Sequence, residues 1–397
     1  MPLALLQKRW FELTVVLLTA AGVLFLGLAS PKHNWDMVAY VAASYQADGH
    51  AGRDLLERTY ADVRGQVDEA SYRDLTAGPY RAIVASDPAS LEQQLPFYTI
   101  RVAYIAAIRG VGLLTGSYTK AAHLVTAAFG FLSVLTMGAI LVRVGVPTPI
   151  LPLAASALGI LTLTRIATPD SMACFASLLL VTALFRPDWR AYALIAILPA
   201  IRSDYLIFSA LAATFLFVRH HRLRATAALA AAGILYVALG RLSGNYGYLN
   251  LLNFTLFGQK PYPAQLPIST EPSAYAVEIA ANTNYLISDG VFLLYAIALV
   301  LLWRKRATWS EPHTALLLLL PVGFATAHFA LFPAYDKRFL VSSFFLVTAG
   351  ILHAAIGQPS SSAPLPTCWL TSRRGTRAGR RAQVRAGRRA VPGEREA

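Results

Sequence analysis

Residues 10–40 read WFELTVVLLTAAGVLFLGLASPKHNWDMVAY, and the class of the fold follows from them. The run Trp10–Ser30 is apolar and long enough to span a bilayer. Lys8 and Arg9 precede it, and the small residues Gly27, Ala29 and Ser30 close it in the manner of a signal-peptide cleavage site. The run is too long for an ordinary signal core, and Pro31 stands where a mature chain would begin, so it reads as an uncleaved signal-anchor helix. The two basic residues then hold the N-terminus in the cytoplasm, and Lys32–Tyr40 emerges outside. That emerging stretch collects His33, Asn34 and Asp36 around Trp35 at a membrane surface. A Trp at this depth is an ordinary interfacial anchor. A carboxylate with low-dielectric walls on one side and water on the other has a tunable pKa, which suits Asp36 to work as a base. The competing reading is a solvated loop carboxylate.

Composition extends this reading to the whole chain. Of 397 residues 56% are hydrophobic and 14% charged, with a mean hydropathy of +0.49, so the expected class is an all-α, polytopic transmembrane protein. Cys174 and Cys368 cannot form a disulfide framework, and their spacing suits no metal site. No repeat of fixed period, Gly-rich phosphate loop or His-x-x-x-His pattern is present. The net charge of +14 suggests nucleic acid, but the tail from Ser372 onward holds nine arginines against two glutamates and accounts for about half of it. Nucleic acid is therefore not an expected partner. Residues 358–397 read as a disordered, Arg-rich cytoplasmic tail, able to hold anionic membrane lipid at about 1 kcal/mol per basic residue. Residues 1–357 form the expected multi-pass domain.

Within that domain, residues 31–96 are too long for a simple connection and too patterned for disorder. Asp54–Val63 has apolar residues at helical spacing, fit for a helix lying on the membrane surface. Ser90–Gln93 has a capping-box pattern that would start a second short helix ended by Pro96. Apolar runs follow over Phe97–Leu114, Ala121–Val142, Pro147–Leu163, Ser171–Phe185, Tyr192–Val218, Thr226–Leu239, Leu286–Trp303, Thr314–Phe332 and Phe339–Ile356. With the first, they imply about 9–11 membrane helices. Basic clusters at Arg219–Arg224 and Arg304–Arg306 belong in the cytoplasm, which puts residues 243–285 and the turn Ala334–Arg338 outside. The run 97–114 carries Arg101 and Arg109, and the run 192–218 is interrupted at Pro199-Ala-Ile-Arg-Ser-Asp204. If one run fails to cross and 192–218 is two half-length helices, Arg143 and Arg186 fall inside. Asp170 and Asp204 then join Asp36 outside.

Each acid has a plain structural reading. Asp170 after Pro169 complements a helix start. Asp204 can pair locally with Arg202, and Asp336-Lys337-Arg338 can anchor an interface. Four acid-containing clusters beside arginines on one face are harder to explain that way.

These residues also resemble those of a known class. Asn34-Trp-Asp36 followed by Tyr40, the long first outer loop, Arg165-Ile-Ala-Thr-Pro-Asp170 and Asp336-Lys-Arg-Phe339 resemble the GT-C class of integral-membrane glycosyltransferases. The resemblance implies a polyprenyl-phosphate-linked sugar donor and a glycan, lipid or protein acceptor, joined at the outer face of the bacterial cytoplasmic membrane. It makes Asp36 the base and Asp170 a support for the acceptor or for a divalent metal ion. Arg338, Lys337 and Arg101 become candidates for the lipid phosphate, with Asp336, His33 and Tyr40 as further substrate contacts. The class often carries two adjacent acids in the first loop, whereas Asp36 stands alone beside Trp35, so the metal stays open. A lipid or lipid-linked-sugar flippase is the alternative from another class. Transporters tend to show inverted repeats and matched mid-membrane breaks, and this chain has neither in clear form.

Overall fold

The computed structural model describes residues 3–304 and 311–356, so the Arg-rich tail, Cys368, Lys305 and Arg306 lie outside the described residues. Among the described residues there are helices and no strands. α1 (Leu3–Ala29) carries the first apolar run. Residues 31–96 then form α2 (Trp35–Ala47), α3 (Gly52–Arg64), α4 (Glu69–Thr76), α5 (Arg81–Ser86) and α6 (Pro88–Gln94). The rest is α7 (Pro96–Thr99), α8 (Val102–Thr115), α9 (Tyr118–Val144), α10 (Leu151–Ala157), α11 (Ile160–Arg165), α12 (Asp170–Leu184), α13 (Trp189–Ile201), α14 (Leu206–Val218), α15 (Arg222–Leu242), α16 (Tyr248–Leu256), α17 (Pro272–Ser288), α18 (Phe292–Arg304), α19 (Pro312–Leu331) and α20 (Val341–Ile356).

Among the described residues, five helices are long and apolar enough to cross a membrane: the Gln7–Ala29 part of α1, then α9, α15, α19, and Lys337–Ile356, which contains α20. The number reaches seven if the bent pairs Pro88–Thr99 with α8 and α17 with α18 each count as one span, their bends being 110° and 83°. The remaining apolar runs are divided into shorter helices. Gly159, at φ 96°, breaks 147–163 into α10 and α11. The run 192–218 is split at Arg202, whose extended backbone separates α13 from α14, one turn after Pro199 withdraws an N–H from the helix.

The long helices meet through small residues. Gly27 of α1 and Gly130 of α9 both sit against Thr164 of α11, and Gly138 of α9 sits against Val16 of α1. An added Cβ at any of the three would collide, so the glycines set the distance between these backbones.

Residues 31–96 form a folded cap whose core runs on into α8, α9 and α16. Leu55, Leu56, Tyr60 and Val63 of α3 pack with Trp35, Val38 and Val41 of α2 and with Leu91, Leu95 and Phe97. The apolar face of α3 is thus covered by protein, which corrects the expectation of a helix lying on lipid. Ser90 does not start a helix either. Asp87 caps α6 by accepting from the Ala89 N–H at 2.9 Å, because Pro88 fits the first helical position. Ser90 sits inside the helix and donates to the Pro261 carbonyl at 2.6 Å.

That bond is one of several joining the two long polar segments. Gln94 donates to the Pro261 carbonyl at 2.9 Å, Tyr262 to Asp87 at 2.6 Å, and Tyr246 to the Gln93 carbonyl at 3.1 Å. Segments 31–96 and 243–285 therefore share one end of the bundle. The other end gathers a different set. The Arg143 guanidinium lies 4.7 Å from the Phe185 ring, His313 stacks on His353 at 5.1 Å, and His353 donates to the Val144 carbonyl at 2.8 Å.

Candidate active site

Two local devices bring Asp36 to the mouth of the bundle. The Lys32 N–H donates to the Arg165 carbonyl at 2.8 Å in an isolated parallel bridge, and Arg165 Nε donates to the Ser30 carbonyl at 2.6 Å. The exit of α1 is thus laced to the turn that precedes α12. Asp36 then falls in the first turn of α2 and Asp170 in the first turn of α12, where a negative side chain complements each helix dipole. On the far side of the chain, Asp336 accepts from the Arg338 N–H at 3.0 Å and opens a short 3-10 turn over Lys337–Leu340. This aims the Arg338 side chain back at α2.

Arg338 is the hub. Its Nη1 donates to Asp36 Oδ2 at 2.8 Å, and its Nε lies 2.8 Å from Asp336 Oδ2 and 3.6 Å from Asp170 Oδ2. Asp170 also meets Arg202 and accepts from the Thr168 hydroxyl at 2.8 Å. Arg202 forks onto Asp204 through bonds of 3.0 and 2.9 Å, and His328 Nε2 lies 3.0 Å from the same carboxylate. Tyr98 completes the chain at its other end by donating to Asp36 Oδ1 at 3.0 Å. The Asp170 and Arg202 side chains are only 2% and 7% exposed, so the centre of this network is desolvated. Burial of that kind is tolerable only because every charge has an opposite neighbour.

The network forms the charged end of a cavity of about 1200 Å³. Asp36, Tyr40, Arg101, Asp170 and Arg338 all line it, as do Arg202, Asp204 and His328. Its other end is mainly apolar, with Ile207 and Ala210 of α14, Leu331 at the end of α19, Phe332 after it, and Tyr236 and Val237 of α15, although Arg241 and Asn245 also line the cavity. Val237 is 50% exposed and Tyr236 38%, so the cavity reaches the outer face of a helix long enough to cross a membrane. Arg101 forms no ion pair among the described residues. It lies 5.9 Å from the Tyr40 ring and 5.7 Å from the Tyr98 ring, its Nη1 bonds the Phe97 carbonyl, and its buried Nε has no hydrogen-bond partner.

A second cavity of about 380 Å³ lies on the other side of the Asp36–Arg338 pair and shares those two residues and Gln259 with the first. Its own lining is mixed, with Asn34, Arg81, Asp336 and Lys337 beside Trp35, Ile166 and Val341. Lys337 therefore does not face the large cavity; it lies 3.6 Å from Asp289. His33 lines neither cavity. Its Nδ1 is 3.3 Å from His123 Nε2, and burial holds its pKa below the ordinary value.

Burial pushes the Asp36 carboxyl upward, but the Arg338 guanidinium, with Arg101 and the Tyr98 hydroxyl, pulls it further down, so Asp36 stays ionised below the usual carboxylate range. Burial raises the Tyr40 phenol to about 12, which leaves it neutral.

The donor set does not fit a divalent ion. Asp36, Asp170 and Asp204 each already neutralise an arginine, and among the described residues no group of three or more His, Cys, Asp or Glu side chains is placed to hold a metal.

Arg202, Asp204, His328 and Tyr98 were not in the expected site. His328 had a visible signal, being the lone titratable residue between Thr314 and Phe332. Tyr98 had none, since an interfacial Tyr is commonplace.

No family model matches this chain, and no curated protein or solved structure matches it.

Proposed function

We propose that this chain is a multi-pass glycosyltransferase of the GT-C type. It moves a sugar from a polyprenyl-phosphate donor to a glycan, lipid or protein acceptor at the outer face of the bacterial cytoplasmic membrane. The observation that carries the reading is the meeting of Asp36, Asp170, Arg101 and Arg338 at the charged end of one cavity whose apolar end reaches the outer face of α15. A polyprenyl phosphate has the same two-part chemistry, an anionic head on a long apolar chain. Residues 302 positions apart in the chain make the central contact, so it does not follow from sequence proximity.

The roles follow from atoms and charge. Asp36, ionised, accepts the proton of the acceptor hydroxyl. The acceptor oxygen forms a bond to the anomeric carbon as the bond from that carbon to the phosphate oxygen breaks, and the electron pair leaves on the phosphate. Arg101, which makes no ion pair among the described residues, and Arg338 offer guanidinium donors to that growing charge. Asp170 holds Arg202 and Arg338 in place.

The experiment is transfer by the purified, membrane-reconstituted chain from a panel of polyprenyl-phosphate sugars. Sugar transfer, or slow donor hydrolysis in the absence of acceptor, is the expected result. Movement of lipid-linked sugar between leaflets with no bond cleavage would favour the flippase reading instead.

A further inference from the structure

We propose that Arg338 changes partner during the reaction: it holds Asp36 until a donor phosphate competes for its guanidinium, and only then is the carboxylate free to take a proton. This inference rests on the transferase reading and adds an order of events to it.

Asp36 has two oxygens and three donors. Oδ1 accepts from Tyr98 at 3.0 Å; Oδ2 accepts from Arg338 at 2.8 Å and from Asn34 Nδ2 at 3.3 Å. A base must accept from the acceptor hydroxyl, and Oδ2 is occupied twice. Of its donors, Arg338 is the one with somewhere else to go. It stands between both cavities, has Asp336 and Asp170 as other anionic neighbours, and its buried Nε lacks an aligned hydrogen bond. Tyr98 and Asn34 are neutral and gain little from an anion arriving nearby. Arg338 gains more, because charge-assisted bonds to phosphate are the strong ones.

The groups that face Asp36 are Arg338 from the turn before α20, Tyr98 from α7, Arg101 between α7 and α8, Tyr40 on its own helix, Tyr80 from the cap and Tyr104 from α8. Arg338 and Arg101 are the cations among them. A phosphate drawn to Arg101 would approach Arg338 through the large cavity that both line. During transfer the leaving phosphate gains negative charge as its bond to the anomeric carbon breaks, so it pulls harder on Arg338 while Asp36 gains a proton and loses its need for a cation. Once the proton has moved, the cation and the negative charge again stand together, on the phosphate. The exchange also means that an acceptor hydroxyl arriving first, from the second cavity, meets a carboxylate already engaged.

The test uses undecaprenyl monophosphate, the probe lipid, on the full-length reconstituted protein. Difference infrared spectra against Asp36→Asn isolate the Asp36 carboxyl and follow its titration with and without the lipid. The expected result is a rise of about 1 pH unit or more when the lipid binds, from loss of an opposite charge within hydrogen-bond distance. In Arg338→Gln the carboxyl should titrate high from the start, with little further rise. Arg338→Lys, which retains a charge, serves if the Gln variant fails to fold, and should show a reduced rise. A shift of the same size in wild type and Arg338→Gln would overturn the exchange, since phosphate would then be acting through space. So would the absence of a shift when the lipid is measurably bound. Absence of any lipid binding would overturn the transferase reading as well.

Discussion

Arg338 Nη1 lies 2.8 Å from Asp36 Oδ2 and joins α2, just after the first long apolar helix, to the turn that opens α20. The pair also stands between two cavities, a large and mainly apolar one and a smaller one of mixed lining. Any change at either residue should therefore be read in both.

Arg338→Lys keeps the charge but loses the planar fork that reaches Asp36, Asp336 and Asp170 together. Losing one charge-assisted bond costs about 1.5–3 kcal/mol, so the rate at limiting donor should fall about 10- to 100-fold. Initial rates over a donor series measure this. Equal rates in the two proteins would make Arg338 a simple interfacial anchor.

Asp170→Asn should act on folding before it acts on chemistry. Asp170 is almost wholly buried between Arg202 and Arg338, and removing one member of such a cluster leaves uncompensated charge worth about 3–5 kcal/mol. Thermal unfolding in detergent should drop markedly, with lower abundance in the membrane. Normal stability with lost activity would instead place Asp170 on the substrate.

The all-α class and the placing of Asp36, Asp170 and Arg338 on one face were legible, because hydropathy runs and basic clusters are one-dimensional signals. Their convergence was not, because it depends on Lys32 pairing with Ile166 and on the turn that Asp336 opens. The cap core was misread for a related reason. The apolar stripe Leu55, Leu56, Thr59, Tyr60, Val63 looks the same whether lipid or α2 covers it. Helix lengths were overestimated where Gly159 and Gly290 divide continuous apolar runs, since hydropathy averages over a break, whereas the division of 192–218 at Arg202 was marked in the sequence by Pro199 and the charged pair after it. Lys337 and His33 neighbour the right residues in sequence but point elsewhere, which spacing in a short turn cannot reveal.

Basic residues set the topology. With the native cysteines replaced, single cysteines in 31–96 or 243–285 should react with an impermeant reagent in whole cells, and those in Arg219–Arg224 should not. The hydrogen bonds from Ser90 and Gln94 to Pro261 require the first two segments to label alike. The opposite pattern would invert the protein and move the site to the cytoplasm.

The depressed carboxyl of Asp36 links its ion pair to pH. A group whose folded pKa lies below its unfolded value of about 3.9 stabilises the fold above that pH, and the contribution is lost as pH falls through the folded value. The stability difference between wild type and Asp36→Asn should thus be flat from neutrality down to about pH 4 and shrink below it. A difference that shrinks nearer neutrality would mean that Arg338 does not hold this carboxylate.

Asp36→Asn decides the chemistry. The amide keeps the shape and most of the polarity but cannot accept the acceptor proton, and loss of a positioned base typically costs about 100- to 10,000-fold in rate. Donor binding should survive better than turnover, because Arg101 and Arg338 remain and Arg338 loses a competitor for phosphate. Binding of undecaprenyl monophosphate should then be unchanged or tighter while transfer collapses. A merely structural Asp36 predicts the reverse: a loss of stability from the broken pair with Arg338, with activity following abundance. Protein level in the membrane, lipid binding and transfer, measured on the same preparation, separate the two cases. Full transfer by Asp36→Asn at normal abundance would falsify its role as the base.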